Sequence, residues 1–416
     1  MKLKTTILIS AAVAALTAFT AQAADTIKIA FIDPLSGPFA ATGTSGFKQA
    51  QFAADMLVNQ KGGVIDGKMF EIVGFDNKIS PKESLVQLKR AIGEGIHYIM
   101  QGNSSGVANA LTDAVKKHND RNPDDLVLFM NYSAVDPALT NEKCNFWHFR
   151  FDANANIKMN ALTDVIAADD SIKKVYIIGQ DYSFGKAVAA GAVKYLGEKR
   201  PDIEIVGNEL HPIGKVKDFT PYATKIRASE ADAIITGNWG ADMVGLAKAI
   251  GDAGIESPVY TYYAANDGIT KTIGASGKDK IRLVHEGRVN PPPTDEYKAY
   301  HMAFKEKYPE ADISQFRIAN ALVMLANAMN QTKSTDPAKV AMALEGMEYT
   351  TIQGDKVVMR AEDHQLMQPI SISVHTDENI ILDADNSGYG LVTEKTISAA
   401  DADIPPSGCN MERPAS

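Results

Sequence analysis

Cysteine is almost missing from this chain: two occur in 416 residues, Cys144 and Cys409. No pair of them has the spacing of a zinc site. Basic charge is also short, with 42 Lys and Arg against 51 Asp and Glu and a formal net charge of −9. An acidic chain without a basic run argues against nucleic acid as a partner. Long apolar runs are absent beyond the first residues, so a polytopic membrane protein is not indicated. There is no Gly-x-Ser-x-Gly elbow, and no recognisable nucleophile–base set stands in for one.

What is present is ordinary globular material, 45% hydrophobic and 22% charged, long enough for two domains with their own cores. The start has its own logic. Lys2 and Lys4 precede an apolar or small stretch from Ile7 to Phe19, and Ala21-Gln22-Ala23 then precedes a polar segment. That pattern predicts a Sec signal peptide over 1–23, cleaved after Ala23, and export to a periplasm as a soluble protein. In an oxidising compartment Cys144 and Cys409 are expected to form one disulfide joining mid-chain to tail. The competing reading is a Cys144/His148 pair used as nucleophile and base, which would need a third, orienting group.

Strand-like runs alternate with helical patterns over most of the chain. Strands are predicted at Thr26–Ile32, Met69–Phe75, Tyr98–Gln101, Leu126–Asn131, Lys174–Gly179, Glu204–Leu210, Ala233–Gly237 and Pro258–Tyr262. Helices are predicted at Gly46–Asn59, Pro81–Gly93, Gly106–Asn119, Ile157–Ala168, Gly185–Lys199 and Gly240–Ala253. Strands separated by single helices imply parallel sheets built from βαβ units. The pattern starts twice, at "IAFIDPLSGPFAATGTSGFKQA" and at "VYIIGQDYSFGKAVAAGAVKYL", with the extended stretch "CNFWHFRFDANANI" between them. Two α/β lobes so joined make a cleft, and ligands of open α/β sheets bind at the carboxyl ends of the strands. The segment from Asp355 to Glu394 reads as hairpin strands added to a sheet.

Loops at the strand ends carry the chemistry. The first, with Gly37, Gly43 and Gly46, has neither G-x-G-x-x-G nor the Lys-Ser/Thr of a phosphate loop, so it reads as a turn or a binding loop. In the second, "QGNSSGVANALTDAV", Ser104 and Ser105 stand between a strand and a helix. Serine there is a helix cap, yet hydroxyls beside free helix N–H groups also cradle a carboxylate. The matching loops of the second half bring aromatics: Tyr182 and Phe184, Trp239, and Tyr262 with Tyr263. Together they suggest an aromatic-lined pocket wall. "DADNSGYGLVTE" (Asp383 to Glu394) has calcium-loop spacing, but strand-like flanks and Gly at position eight favour a β-turn. No other cluster has metal spacing, and no cofactor is expected.

At this point the residues resemble a known family. "IKIAFIDPLSGPFAATG", "NKISPKESLVQLKRAIGEGIHYIMQGNSSGVA", "DPALT" and "DYSFGKA" are similar, in order, to the Leu/Ile/Val-binding proteins. These are type I periplasmic binding proteins serving ABC importers. The resemblance implies an α/β fold of two Rossmann-like lobes with parallel sheets, joined by three crossovers near Phe149–Phe151, His285–Arg288 and Thr351–Gly354. Lobe one would hold 24–148 plus 288–352, lobe two 149–287 plus 353–400, and 401–416 would return to lobe one. It implies no catalysis, closure of the lobes on a small molecule, and an ABC permease as membrane partner. Position by position, Ser105 falls where the family grips the ligand carboxylate, with Ser104 beside it. Ser133 falls where a backbone carbonyl meets the ligand ammonium. Val135 replaces a Thr hydroxyl that also meets it, and Tyr263 replaces the Glu that neutralises it. Thr42 replaces an aromatic residue on the ligand side chain, while Phe184 and Trp239 fall where aromatics line the second lobe. The expectation is a carboxylate ligand without an amine, aromatic or aliphatic. Amino acids stay open because Asp267 could supply the charge, and a small amide is a further option.

Two other classes stand as alternatives. A receptor-type sensory module of the same fold would need a separate membrane partner chain. A two-lobed exported hydrolase or lyase would turn over its bound compound.

Overall fold

The computed structural model describes residues 26–265 and 268–414. The expected signal peptide and Asp267 lie outside the described residues. Five parallel strands make the first sheet: β1 (Thr26–Asp33), β2 (Met69–Asp76), β3 (Tyr98–Gln101), β4 (Leu128–Asn131) and β5 (His148–Arg150). They lie side by side in the order β2-β1-β3-β4-β5. The second sheet begins with parallel strands β6 (Lys174–Gln180), β7 (Glu204–His211), β8 (Ala233–Thr236), β9 (Val259–Thr261) and β10 (Ile281–His285). A small antiparallel sheet follows, β11 (Glu348–Thr350), β12 (Lys356–Met359) and β13 (Leu366–Met367). The antiparallel pair β14 (Ile370–Thr376) and β15 (Gly390–Ile397) completes the second sheet in the order β15-β14-β10-β9-β8-β6-β7.

Helices α1 (Ala40–Ala53), α2 (Pro81–Gly93) and α3 (Ser105–Arg121) link strands of the first sheet. Those of the second follow α4 (Ala155–Ala167), α5 (Ser183–Lys199), α6 (Thr220–Ala228), α7 (Gly240–Asp252) and the short α8 (Ile269–Ile273). Then come α9 (Asp295–Lys307), α10 (Phe316–Thr332), α11 (Pro337–Leu344) and, near the end, α12 (Ala399–Ala402). Both halves start by the same device. A Cβ on Gly43 would stand 1.9 Å from the Pro34 carbonyl oxygen, and one on Gly185 would stand 1.8 Å from that of Gln180. Only glycine lets each helix pack so closely on the end of its strand.

The first lobe's core joins its sheet to α10 and α11 and includes Val357, Met359 and Leu366. The small sheet therefore packs with lobe one. The chain passes back to the second sheet between Met367 and Ile370, later than the expected crossing at Thr351–Gly354. The apolar residues of β12 and β13 cause this, because they bury themselves against the first lobe rather than the second. The disulfide Cys144–Cys409 is present, with the two Cα atoms 5.5 Å apart. Cys144 is thus no free nucleophile, and the Cys144/His148 reading falls.

Candidate ligand-binding cleft

The helix N-termini facing the cleft between the lobes carry no side-chain cap. α2, α4, α9 and α11 begin on Ser80, Asn154, Thr294 and Asp336, whose side chains accept backbone N–H bonds. α1, α3, α5 and α7 begin on Phe39, Ser104, Tyr182 and Trp239, and none of these four side chains makes a cap bond. (α6, α8 and α10 also start without one.) Ala40 N–H bonds the Gly37 carbonyl and Val107 N–H that of Ser104, but no side chain caps the remaining leading N–H groups, and the helix dipole favours an anion there. Ser104, expected as a cap, is instead held at φ 79°, in the left-handed region. A serine held there costs about 1–3 kcal/mol and must be imposed by its surroundings.

Those surroundings are Asp33, Tyr132 and Gly102. Asp33, fully buried at the end of β1, accepts the Tyr132 hydroxyl at 2.6 Å and the N–H groups of Asn103 and Gly102 at 2.9 and 3.3 Å. Burial pushes its carboxyl up to about 7 against these bonds. The Tyr132 ring leaves no room for a Cβ on Gly102, which would stand 2.6 Å from it. The carboxylate thus anchors the backbone just ahead of Ser104. Ser105 sits at the start of α3 and its Oγ accepts the Asp136 N–H at 3.2 Å.

Eight of the nine ligand-site residues expected from sequence line one cavity. They are Ser104, Ser105, Ser133, Val135, Tyr182, Phe184, Trp239 and Tyr263, joined by Gly102, Asn103, Ala134 and Gln315 around about 290 Å³ of unfilled space. The second lobe's wall is aromatic. Trp239 Nε1–H donates to the Tyr182 hydroxyl at 2.8 Å, and Phe184 meets Tyr263 edge-on at 5.8 Å. Thr42 is not part of the lining. It is buried in the first turn of α1, its Oγ1 3.6 Å from where a Cβ on Gly240 would stand. The aromatic ring from this loop is Phe39, which crosses to Trp239 with centroids 4.4 Å apart.

Behind Ser133 and Tyr263 lies a cluster of four buried charges that the sequence reading did not identify. Lys158 lies 2.6 Å from Asp152 and 3.1 Å from Glu286, while Arg317 pairs with Glu286 and lies 3.4 Å from Asp152. Arg317 also donates to Ser133 Oγ at 2.9 Å and to Gln315 Oε1. Burial works to raise Glu286, but Arg317 and Lys158 outweigh it and hold the carboxyl well below the usual range. Two anions and two cations compensate one another, as buried charges must. The Tyr263 hydroxyl stands 3.2 Å from the Ser133 carbonyl oxygen and 3.4 Å from Asp152 Oδ2. Burial and the Asp152 charge keep that phenol protonated, so it donates. One signal for this cluster was visible: Arg317 is the lone charge in the apolar run "FRIANALVMLANAM".

The Asp383–Glu394 turn spends its carboxylates elsewhere. Asp383 accepts the N–H groups of Ser387 and Gly388, Asp385 those of Gly268 and Lys271, and Glu394 pairs with Arg282. Among the described residues no group of three or more His, Cys, Asp or Glu side chains could hold a metal. No described helix is long and apolar enough to cross a membrane.

Comparison with known proteins adds the following. Residues 26–377 match the family model described as periplasmic binding protein. The chain is 32% identical over 406 residues to Leu/Ile/Val-binding protein homolog 4 of Brucella abortus (strain 2308), covering 94% of each. It is similar to a leucine-, isoleucine-, valine-, threonine- and alanine-binding protein from Brucella ovis in a closed conformation. There the TM-score is 0.81 and the identity 29%, over 94% of this chain and all of the other (100%). A solute-binding protein of an R. palustris ABC transporter, in complex with benzoate, shares the fold with a TM-score of 0.77 at 18% identity, over 92% and 99% of the two chains.

Proposed function

The chain belongs to the periplasmic binding protein family, among the Leu/Ile/Val-binding proteins, and on that premise we propose that it captures a small carboxylate lacking an α-amine. It is a binding protein and not an enzyme. The cleft's carboxylate end is the open N-terminus of α3, with Ser104, Ser105 and free N–H groups. Its other wall is the aromatic set Tyr182, Phe184, Trp239 and Tyr263, suited to a ring or branched aliphatic body. Closure of the lobes buries the ligand, and an ABC permease in the inner membrane receives it from the periplasm.

The observation that carries the amine-free reading is the Tyr263 hydroxyl, 3.2 Å from the Ser133 carbonyl oxygen. In the resembled family that oxygen meets the α-ammonium, and here one of its two lone pairs already accepts the Tyr263 hydroxyl. No acidic side chain is among the described residues lining the cavity. A desolvated ammonium without a carboxylate partner costs several kcal/mol. Relatives are named for leucine, isoleucine and valine, and a more distant one holds benzoate. Both kinds of ligand are carboxylates, so the grip on the acid is the shared part and the amine is the variable one.

Calorimetry on the mature protein tests this with matched pairs: phenylalanine against 3-phenylpropanoate, and leucine against 4-methylpentanoate, with benzoate alongside. The acids are expected to bind at least about tenfold tighter than their amino acids. Tighter binding of leucine or phenylalanine would overturn the amine-free reading and return the chain to amino-acid capture.

A further inference from the structure

What a hydroxyl in the cleft can still give depends on what it already takes. The Tyr182 hydroxyl, on the second lobe, accepts the Trp239 Nε1–H at 2.8 Å. An indole N–H can only donate, so this bond uses the phenol as acceptor and leaves its own hydrogen to go elsewhere. Among the described residues nothing takes that hydrogen. Asp136 and Asp242 stand near enough for their charge to act on the phenol, yet each accepts from other groups. Asp136 takes the Asn109 amide and the Ala138 N–H, and Asp242 takes the Gln180 amide and the Gly214 N–H. Burial holds the phenol above its ordinary range, so it stays protonated.

Ser105, on the first lobe, is in the same condition. Its Oγ accepts the Asp136 N–H at 3.2 Å, and no described residue takes its hydrogen. α5 meets α3 across the cleft, and Ser105 and Tyr182 line one cavity. The two walls touch at two places. The Tyr263 hydroxyl stands 3.2 Å from the Ser133 carbonyl oxygen, and the rings of Phe39 and Trp239 lie 4.4 Å apart. A ligand between walls so close meets both lobes. Two hydroxyls, one from each lobe, therefore have a hydrogen to give at the same cavity. A carboxylate only accepts, and its two oxygens offer about four lone-pair sites, enough for donors on both sides.

We propose that Tyr182 is a specificity-determining residue of the cleft, its hydroxyl donating to the ligand carboxylate from the second lobe while Ser105 and the start of α3 hold it from the first. The carboxylate is then gripped by both lobes at once. Closure gains a charge-assisted bond that the open form does not make, which is the differential contact a ligand needs to shift the lobes. The inference rests on the cleft taking a carboxylate. It is indifferent to the α-amine, because acids and amino acids share the group.

The test is calorimetry on the mature protein and on Tyr182→Phe, which keeps the ring and removes only the oxygen. The probes are 4-methylpentanoate, leucine, 3-phenylpropanoate and 3-(4-hydroxyphenyl)propanoate. Every probe that binds the native protein should lose at least about tenfold in affinity, as expected for a lost bond to a charged group. A ring that serves only as a wall would leave affinities within about twofold, and that result overturns the proposal. So does a loss confined to 3-(4-hydroxyphenyl)propanoate, since the hydroxyl would then read the far end of the ligand. Leucine binding tighter than 4-methylpentanoate, with both weakened by the variant, would overturn the amine-free reading and leave Tyr182 in its role. No saturable binding of any probe to the native protein overturns this proposal and the carboxylate reading together. If the variant fails to fold, NOEs on the unaltered protein decide. Those from the Tyr182 ring should reach the methylene beside the carboxylate of 3-phenylpropanoate, and NOEs to the ligand ring alone would overturn the proposal.

Discussion

Two residues at the carboxylate end of the cleft oppose local stability. Ser104 sits at φ 79°, a conformation glycine adopts freely and serine does not. Ser104→Gly should raise unfolding free energy by roughly 1 kcal/mol by relieving that strain. The same change removes a hydroxyl from the cavity wall and should weaken acid binding, so melts and calorimetry are expected to move in opposite directions. If both fall, the backbone there is not strained. Asp33 supplies a pH signature. Its carboxyl is raised to about 7, so between about 4 and 7 the folded protein keeps a proton that the unfolded chain releases. Its contribution to stability is therefore greatest below pH 4 and declines as pH rises through that window, by roughly 4 kcal/mol at most. Asp33→Asn cannot titrate. Its unfolding free energy relative to the native protein should improve steadily from pH 4 to pH 7 in urea melts, and a flat difference would sink the assignment.

At the scale of elements, side-chain caps mark several scaffold helices and none of the four that face the cleft. Where the chain only needs a helix, Ser80-Pro81 or Thr294-Asp295-Glu296 caps and charges its start. Such signals are local, and the expected helix Pro81–Gly93 and strand Tyr98–Gln101 coincide with the structure. α1 was less legible. It begins at Ala40, six residues before the expected Gly46, because its first turns are small residues with weak propensity. What makes them helical is close packing on Pro34, a tertiary contact that no local pattern reveals. The expected place of Thr42 failed as a lining residue for a related reason: the loop lends Phe39, three residues earlier, to the opposite lobe. That ring meets Trp239 at 4.4 Å and is 3% exposed, so it joins α1's start to α7's. Such a contact exists only with the lobes together. Phe39→Ala should speed ligand release several-fold, the kinetic trace of losing about 0.5–1.5 kcal/mol from the closed form. Stopped-flow displacement would show it, and an unchanged off-rate would mean that the pair does not hold the cleft shut.

The whole molecule is two α/β bodies tied more often than three crossings require. The buried cluster of Asp152, Lys158, Glu286 and Arg317 spans both bodies, which is why only Arg317, alone in its apolar run, could be suspected from sequence: Asp152, Lys158 and Glu286, each read alone, look like solvated surface residues. The tail makes a further tie. α12 packs on α4 of the second lobe, and Ala402 lies in that lobe's core. The chain then runs back along the first lobe, where the Ser407 N–H bonds Asn141 at 2.7 Å, Cys409 joins Cys144, and Arg413 pairs with Glu345 at 2.8 Å. The disulfide closes a loop with a sequence separation of 265 residues. Loop entropy alone would make it worth about 5.6 kcal/mol, and measured bonds usually deliver about 2–4. Its position says more than its energy. A covalent strap from the second lobe to the first limits how far the lobes can separate, whereas the crossings only set the axis about which they turn. Replacing both cysteines by serine should therefore have two effects. The melting temperature should fall, by the amount that about 2–4 kcal/mol implies. The radius of gyration of the unliganded protein in solution scattering should rise above that of the native form, while the two liganded forms stay equal, because closure needs no strap. Equal radii without ligand would show that the tail staples the first lobe alone, and the lobes open without feeling it.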